Sequence, residues 1–325
     1  MRTLLAAHEI VSAEQLARLR ARSNVWGAWL VLHAWLMIVG AAVLVAWLPN
    51  PATIILAVMV IGSRQLGLAI LMHEGAHGGL NRNRSLNHFL AQWFCAWPIA
   101  ADVEVYRPYH LKHHTNTLTD KDPDRVLTGH YPISRESLKR KLIRDLTGQS
   151  GYAQRKFQVK NAFNPPPGVG LWPHFWAELG PACVANLVLL TLCAAAGYWW
   201  LYLSCWVLPL LTWYQVVLRV RNIAEHAVVR GGDLFGSART TYANFVERIF
   251  VAPYWVNYHL EHHLLMYVPC YRLPLFHRYL HDNGLADRLQ ITNGYLAVLR
   301  EVTSTEAVDN PGAKRAMGTF GQGYE

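Results

Sequence analysis

Residues 110 to 114 read HLKHH, three imidazoles and a lysine in five positions. The spelling returns at 259 to 263 as HLEHH, and a looser form, HEGAH, stands at 73 to 77. On a helix, His110, His113 and His114 fall at i, i+3 and i+4, within an arc of about 100°, so three rings point one way. His259, His262 and His263 repeat that geometry, and His73 and His77 share one face at i and i+4. A ninth histidine, His226, closes the segment RNIAEH, with Asn222 one turn before it.

Working outward, these motifs abut apolar runs. Of the 325 residues, 52% are hydrophobic and only 16% charged, a balance that excludes an ordinary water-soluble domain. The run at 25–48 rises about 36 Å as a helix, enough to cross a hydrocarbon core of roughly 30 Å. Pro49 and Pro51 mark a tight turn, and a second run, 52–72, ends directly at His73. A third and a fourth run cover 181–197 and 199–221, joined at Gly197 and flanked by Tyr198, Trp199, Trp200 and Tyr202 as an interfacial aromatic belt. The stretch 86–102 is apolar but short and is expected to be interfacial or half-buried. The linker NPPPGVG, 164–170, is expected to be irregular.

Charge sets the orientation. The net charge is +9, but no Lys/Arg run resembles a nucleic-acid arm. The turns near 49–51 and 198 hold no lysine or arginine, whereas the 73–180 interval carries fourteen. That asymmetry places both termini and the long interval on the cytoplasmic side. Five scattered cysteines form no CxxC pair, so neither a disulfide framework nor a zinc ribbon is indicated. The N-terminus has no signal-peptide pattern. Ser12 and Gln15 are expected to form a capping box that opens a basic helix, either at the membrane surface or solvated.

All nine motif histidines lie on the same expected membrane face, after the second and fourth runs. Nine imidazoles exceed what one ion holds; two ions with four or five each fit the count. All-nitrogen donor sets suit iron, copper, zinc and nickel, and the absence of nearby cysteine argues against iron–sulfur or soft copper chemistry, so iron is favoured. The other seven histidines, His8, His33, His88, His130, His174, His277 and His281, fit no such spacing. Each is expected at the surface or in the core, and loss of His277 is expected to leave activity intact.

In order, HEGAH, HLKHH, NIAEH and HLEHH resemble the membrane fatty acid desaturase superfamily, over roughly residues 50 to 285. The contexts HHTNTLTDKDPD and NYHLEHHLLMYVPCYRLP are similar to those of bacterial acyl desaturases. The resemblance implies an all-α integral membrane protein of four transmembrane helices, with a cytoplasmic helical cap and a non-haem di-iron centre. It implies His73, His77, His110, His113, His114, His226, His259, His262 and His263 as ligands, and Asn222 as a contact through water. It implies O2 as cosubstrate, a fatty acyl lipid or fatty acid as substrate, and two electrons from outside the chain. No dinucleotide-binding glycine motif, iron–sulfur cysteine set or fused haem domain appears, so the donor is expected to be a separate ferredoxin-, rubredoxin- or cytochrome-type protein. The HxxxH spacing of the first motif is one residue shorter than in the stearoyl-CoA branch, which favours the bacterial and sphingolipid-type branches.

The chain then divides into an interfacial helix at 1–24, a membrane desaturase-like domain at 25–285 and a cytoplasmic tail at 286–325, in a bacterial inner membrane. Glu74, Glu225 and Glu261, each beside a motif histidine, are expected to orient rings from behind. Asp120, Asp122 and Asp124 are weaker candidates for that role. Arg64 and Gln65, mid-span, are expected to pair inside the bundle, and Arg219 and Arg221 to snorkel to the interface. Two other functions remain open: hydroxylation, ketolation or decarboxylation of a lipid at the same centre, and non-enzymatic metal binding. The scarcity of polar residues within the spans disfavours the second.

Overall fold

The computed structural model describes residues 7–304. Helix α1 (Ala13–Arg20) opens on the expected capping box: Ser12 Oγ accepts from the Gln15 N–H at 3.1 Å and Gln15 Oε1 from the Ser12 N–H at 2.9 Å. Two long apolar helices follow, α2 (Trp26–Trp47) and α3 (Pro51–Ala76). Between them Asn50 caps the N–H groups of Ala52 and Thr53, and Pro51 supplies the first helical residue. At the other end of α2, Gly27 meets the chain beyond α3 so closely that an added Cβ would lie 2.0 Å from the Leu80 carbonyl oxygen.

Beyond α3 come α4 (Arg84–Ala91) and α5 (Val103–Asn116). The stretch between them winds through a π-turn and a 3-10 turn; Gln92 pins it by donating to Asp102 and accepting from the Val103 N–H. Then α6 (Arg135–Leu146) and α7 (Gln149–Ala162) lead to α8 (Leu171–Glu178) and α9 (Gly180–Ala195), and the chain returns through α10 (Trp199–His226). Short helices α11 (Phe245–Phe250), α12 (His259–Leu264), α13 (Leu273–Asp282) and α14 (Tyr295–Glu301) complete it. The strands are two-residue parallel pairs: β1 (Ile133–Ser134) with β4 (Thr303–Ser304), and β2 (Thr240–Thr241) with β3 (Ile291–Thr292).

Among the described residues, α2, α3 and α10 are long and apolar enough to cross a membrane, which makes three candidate spans. A fourth requires α8 and α9 together, bent by 59°, because α9 has only 16 residues. The third expected span, 181–197, overlaps α9, which is long enough to cross only if paired with α8. The second and fourth run on past 72 and 221, and those extra turns carry His73 and His226. In its most apolar window α3 is 61% buried, against 28% for α2 and 44% for α10, so α3 is the central post.

The polar residues inside α3 have identifiable partners. The last carbonyls of a helix have no donor partner within it, and α11 ends against the middle of α3. There Arg64 donates to the Ile249 carbonyl at 2.5 Å and Ser63 to the Phe250 carbonyl at 2.5 Å. The Arg64 guanidinium also lies 5.5 Å from the centre of the Tyr254 ring. Gln65 donates to the Trp206 carbonyl at 2.9 Å, tying α3 to α10. The mid-span arginine therefore ends a short helix where water cannot.

Two expectations change. Arg219 does not snorkel; it forms a bidentate pair with the fully buried Asp145 of α6, because α6 packs against that side of α10. Arg221 likewise turns inward, to Glu225 at 2.5 Å. Residues 286–304 of the expected tail are folded in: Tyr295, Val298 and Val302 are buried, and Glu301 pairs with the buried Arg239 at 3.2 Å. Residues 1–6 of the expected N-terminal segment and 305–325 of the tail lie outside the described residues.

Replacing Arg64 with leucine removes a buried donor and leaves the Ile249 carbonyl unpaired, a loss of about 1–3 kcal/mol. Thermal unfolding in detergent is expected to show a lower midpoint for R64L, with metal per folded chain unchanged. A midpoint equal to the parent's would mean that the α11 terminus is satisfied without Arg64.

Candidate metal centre

Four elements deliver nine imidazoles to one place. His73 lies in the last turn of α3 and His77 caps its C-terminus. His110, His113 and His114 share a face of α5, whose first turn is held by Asp102 accepting from the Glu104 and Val105 N–H groups. His226 is the last residue of α10, and His259, His262 and His263 lie on the six-residue α12. All are buried except His114, which is half-buried.

The ring nitrogens sort into two groups, His73, His77, His110, His114 and His262, and His113, His226, His259 and His263, each gathered within 4.8 Å. Within the first, His110 and His114 Nε2 are 2.8 Å apart, His114 and His262 Nε2 2.9 Å, and His73 and His262 Nε2 3.0 Å. Within the second, His226 and His259 Nε2 are 2.9 Å apart and His259 and His263 Nε2 3.1 Å. The groups adjoin, with the His114 and His263 ring centres 4.4 Å apart.

Tautomers decide what these contacts mean. His226 Nδ1 lies 3.1 Å from the Ser237 carbonyl and His259 Nδ1 3.3 Å from Glu225 Oε1. An oxygen acceptor draws the proton to Nδ1, so each Nε2 presents a lone pair. Two lone pairs 2.9 Å apart repel; a cation between them turns that repulsion into coordination. His113 Nδ1 is held likewise by the buried Asp122 at 2.8 Å. His77 has both ring nitrogens buried without a hydrogen-bond partner, the state of a donor atom reserved for an ion. Burial, reinforced by neighbouring imidazoles, holds His110, His259, His262 and His263 well below the ordinary histidine range. It holds His114 down to about 2 and, with Arg107 nearby, His77 to about 4. Those six rings are thereby held in the neutral form that a metal ligand needs. The donor set fits two transition-metal ions with five and four imidazoles.

The three glutamates divide. Glu74 Oε1 lies 3.7 Å from His73 Nδ1, while its other oxygen accepts from the Cys270 N–H at 2.9 Å. Glu225 bridges Arg221 and His259. Glu261 points away from the rings, to His277 and Thr240, because it lies about 200° around α12 from His259 and from His263. Asn222 lines a small cleft with Tyr106, His113, Asp124, His226 and His259.

Asp122 backs His113 because the turn after α5 brings residue 122 onto residue 113, a contact no periodicity encodes. Asp120, by contrast, is exposed and pairs with Arg125. Tyr106, stacked on His110 at 5.0 Å and 13°, could have been found one turn ahead of the motif. His277 carried no signal at all, having neither motif nor spacing.

Comparison with known proteins agrees with this geometry. A family model described as fatty acid desaturase matches residues 46–292, a span that contains all nine histidines. The chain is also similar to a dihydrorhizobitoxine desaturase from Bradyrhizobium elkanii, with 27% identity over 281 residues, 80% of this chain and 76% of that protein.

Purified protein is expected to carry about two metal ions per chain by elemental analysis, and His262→Ala, which thins the five-imidazole group, fewer. Asp122→Ala, which frees His113 to turn, is expected to weaken metal affinity about 10–100-fold. Wild-type retention of metal by Asp122→Ala against a chelator would show that Asp122 orients nothing.

Proposed function

The chain belongs to the fatty acid desaturase family, and from that premise we propose that it introduces a double bond into a fatty acyl chain at a non-haem di-iron centre. His73, His77, His110, His114 and His262 would hold one iron, and His113, His226, His259 and His263 the other, with Asn222 reaching it through water. Bound there, the iron pair supplies O2 activation with two electrons from a separate ferredoxin-, rubredoxin- or cytochrome-type donor. The balance closes with one O2, two electrons and two protons taken up, two hydrogens removed from adjacent carbons and two waters formed.

The observation that carries this reading is the placement of two adjoining all-imidazole groups at the ends of apolar helices. Carbon–hydrogen cleavage in a lipid needs a strong oxidant beside an apolar chain. Imidazole ligands resist oxidation, as thiolates do not. The chain's own residues do the positioning: Asp122, Glu225 and the Ser237 carbonyl hold Nδ1 protons so that Nε2 faces inward. Burial of the rings keeps bulk water from the reacting carbons. Which hydrogens leave depends on holding the acyl chain to a fraction of an ångström.

The orientation we propose puts the centre on the cytoplasmic side of a bacterial inner membrane, with both termini there. Its support is charge: fourteen lysines and arginines between 73 and 180, and none in the turns at 49–51 and 198. The membrane domain would run over 25–285, with 1–24 at the interface.

Two measurements test the proposal. Lipids from a bacterial host expressing the chain, weighed against a His262→Ala control, are expected to show a product lighter by two hydrogens at unchanged chain length. A product heavier by one oxygen, or shorter by one carbon, would assign the same centre to hydroxylation or decarboxylation. Single cysteines at residue 198 are expected to react with an impermeant reagent in intact cells, and those within 115–160 to be protected; the reverse pattern would invert the topology.

A further inference from the structure

Glu261 is the one motif glutamate that meets none of the nine rings, and it is fully buried. A buried carboxylate needs partners for both oxygens. One oxygen accepts from the Thr240 hydroxyl at 2.5 Å, and the other faces His277 Nδ1 at 2.5 Å. Both partners sit on other elements. Thr240 belongs to β2, and its N–H donates to the Gln290 carbonyl at 2.9 Å. His277 belongs to α13; its Nε2 lies 2.8 Å from the Tyr242 hydroxyl, and its ring packs against Tyr258 and His281.

Helix α12 has six residues, too few for its own backbone to fix its rotation. Its inward face carries three of the nine imidazoles, and its outward face carries Glu261. A ring nitrogen roughly 6 Å from the helix axis moves about 1 Å for each 10° of rotation, while a working site tolerates about 0.5 Å. A two-point anchor behind the helix is what holds the three rings in front.

We propose that His277 is a positioning residue for the metal centre: through Glu261, and together with the Thr240 hydroxyl, it fixes the rotation of α12 and so the direction of His259, His262 and His263. This rests on the reading of the nine histidines as a metal site. It also reverses the sequence-based expectation that His277 is dispensable.

The test uses purified full-length protein loaded with cobalt(II), whose visible absorption reports ligand geometry, with affinity measured against a chelator. His277→Leu is expected to bind cobalt about 10–100-fold more weakly and to shift the absorption bands. His277→Asn, whose amide N–H can take the place of Nδ1–H, is expected to keep the wild-type bands. Leu280→Ala, which opens the buried core of α13 one turn on, is expected to lower the melting midpoint without shifting them. The inference is overturned if His277→Leu keeps wild-type bands and affinity, or if His277→Asn falls as far as His277→Leu. Should His277→Leu fail to fold, Thr240→Val must show the band shift instead, and wild-type bands there overturn the inference equally. Wild-type protein that binds neither cobalt nor iron would overturn the metal centre itself, and this inference with it.

Discussion

Nine imidazoles packed with their ring nitrogens facing one another are the constraint around which the rest of this fold is arranged. In an apolar setting such a cluster cannot relieve its repulsion by protonation, since each charge would be buried beside others. Nor can it relieve it with water at positions where the rings approach to 2.8–3.1 Å. Positive ions at two foci would resolve the conflict. The surroundings are then understood as machinery for holding donors still, from outside, by the nitrogen that does not face the ion.

That holding is distributed over elements far apart in sequence. His113 is fixed by the turn after its own helix, His226 by the Ser237 carbonyl beyond α10, and His259 by a glutamate on α10 that Arg221 in turn pins. The loop around Ser237 is anchored by Arg239, which donates to the Ala224 and Val228 carbonyls and pairs with Glu301 of α14. A residue near the end of the described chain therefore bears on the geometry at His226. This is why residues 286–304 are folded in rather than trailing: they close the back of the site.

Much of this was legible in sequence where periodicity encodes it. The i, i+3, i+4 spacings placed three rings on one face of each motif helix, the capping box at Ser12 formed as read, and apolar runs marked α2, α3 and α10. What periodicity does not encode was lost. The 59° bend between α8 and α9 leaves no mark in composition. Arg219 near the end of an apolar run suggests snorkelling until α6 supplies Asp145. Glu261 is adjacent in sequence to His262 yet turned away from it, because adjacency on a helix is a 100° separation. Asp122 and His277 act through contacts made only by the folded chain.

The membrane imposes the complementary demand. Backbone that is not helical must be satisfied by protein wherever water is absent, and α11 ends against the middle of α3. Polar residues at that depth, Ser63, Arg64 and Gln65, donate to carbonyls of α11 and α10. The same α3 that makes these contacts carries His73 in its last turn. Its depth in the bundle is thus coupled, through one rigid rod of about 1.5 Å per residue, to the position of the first imidazole. Displacing α11 or α10 along α3 would displace the imidazole groups relative to the apolar phase. The polar contacts inside the helix and the imidazoles at its end are thus parts of one rigid element, and the depth of one sets the depth of the other.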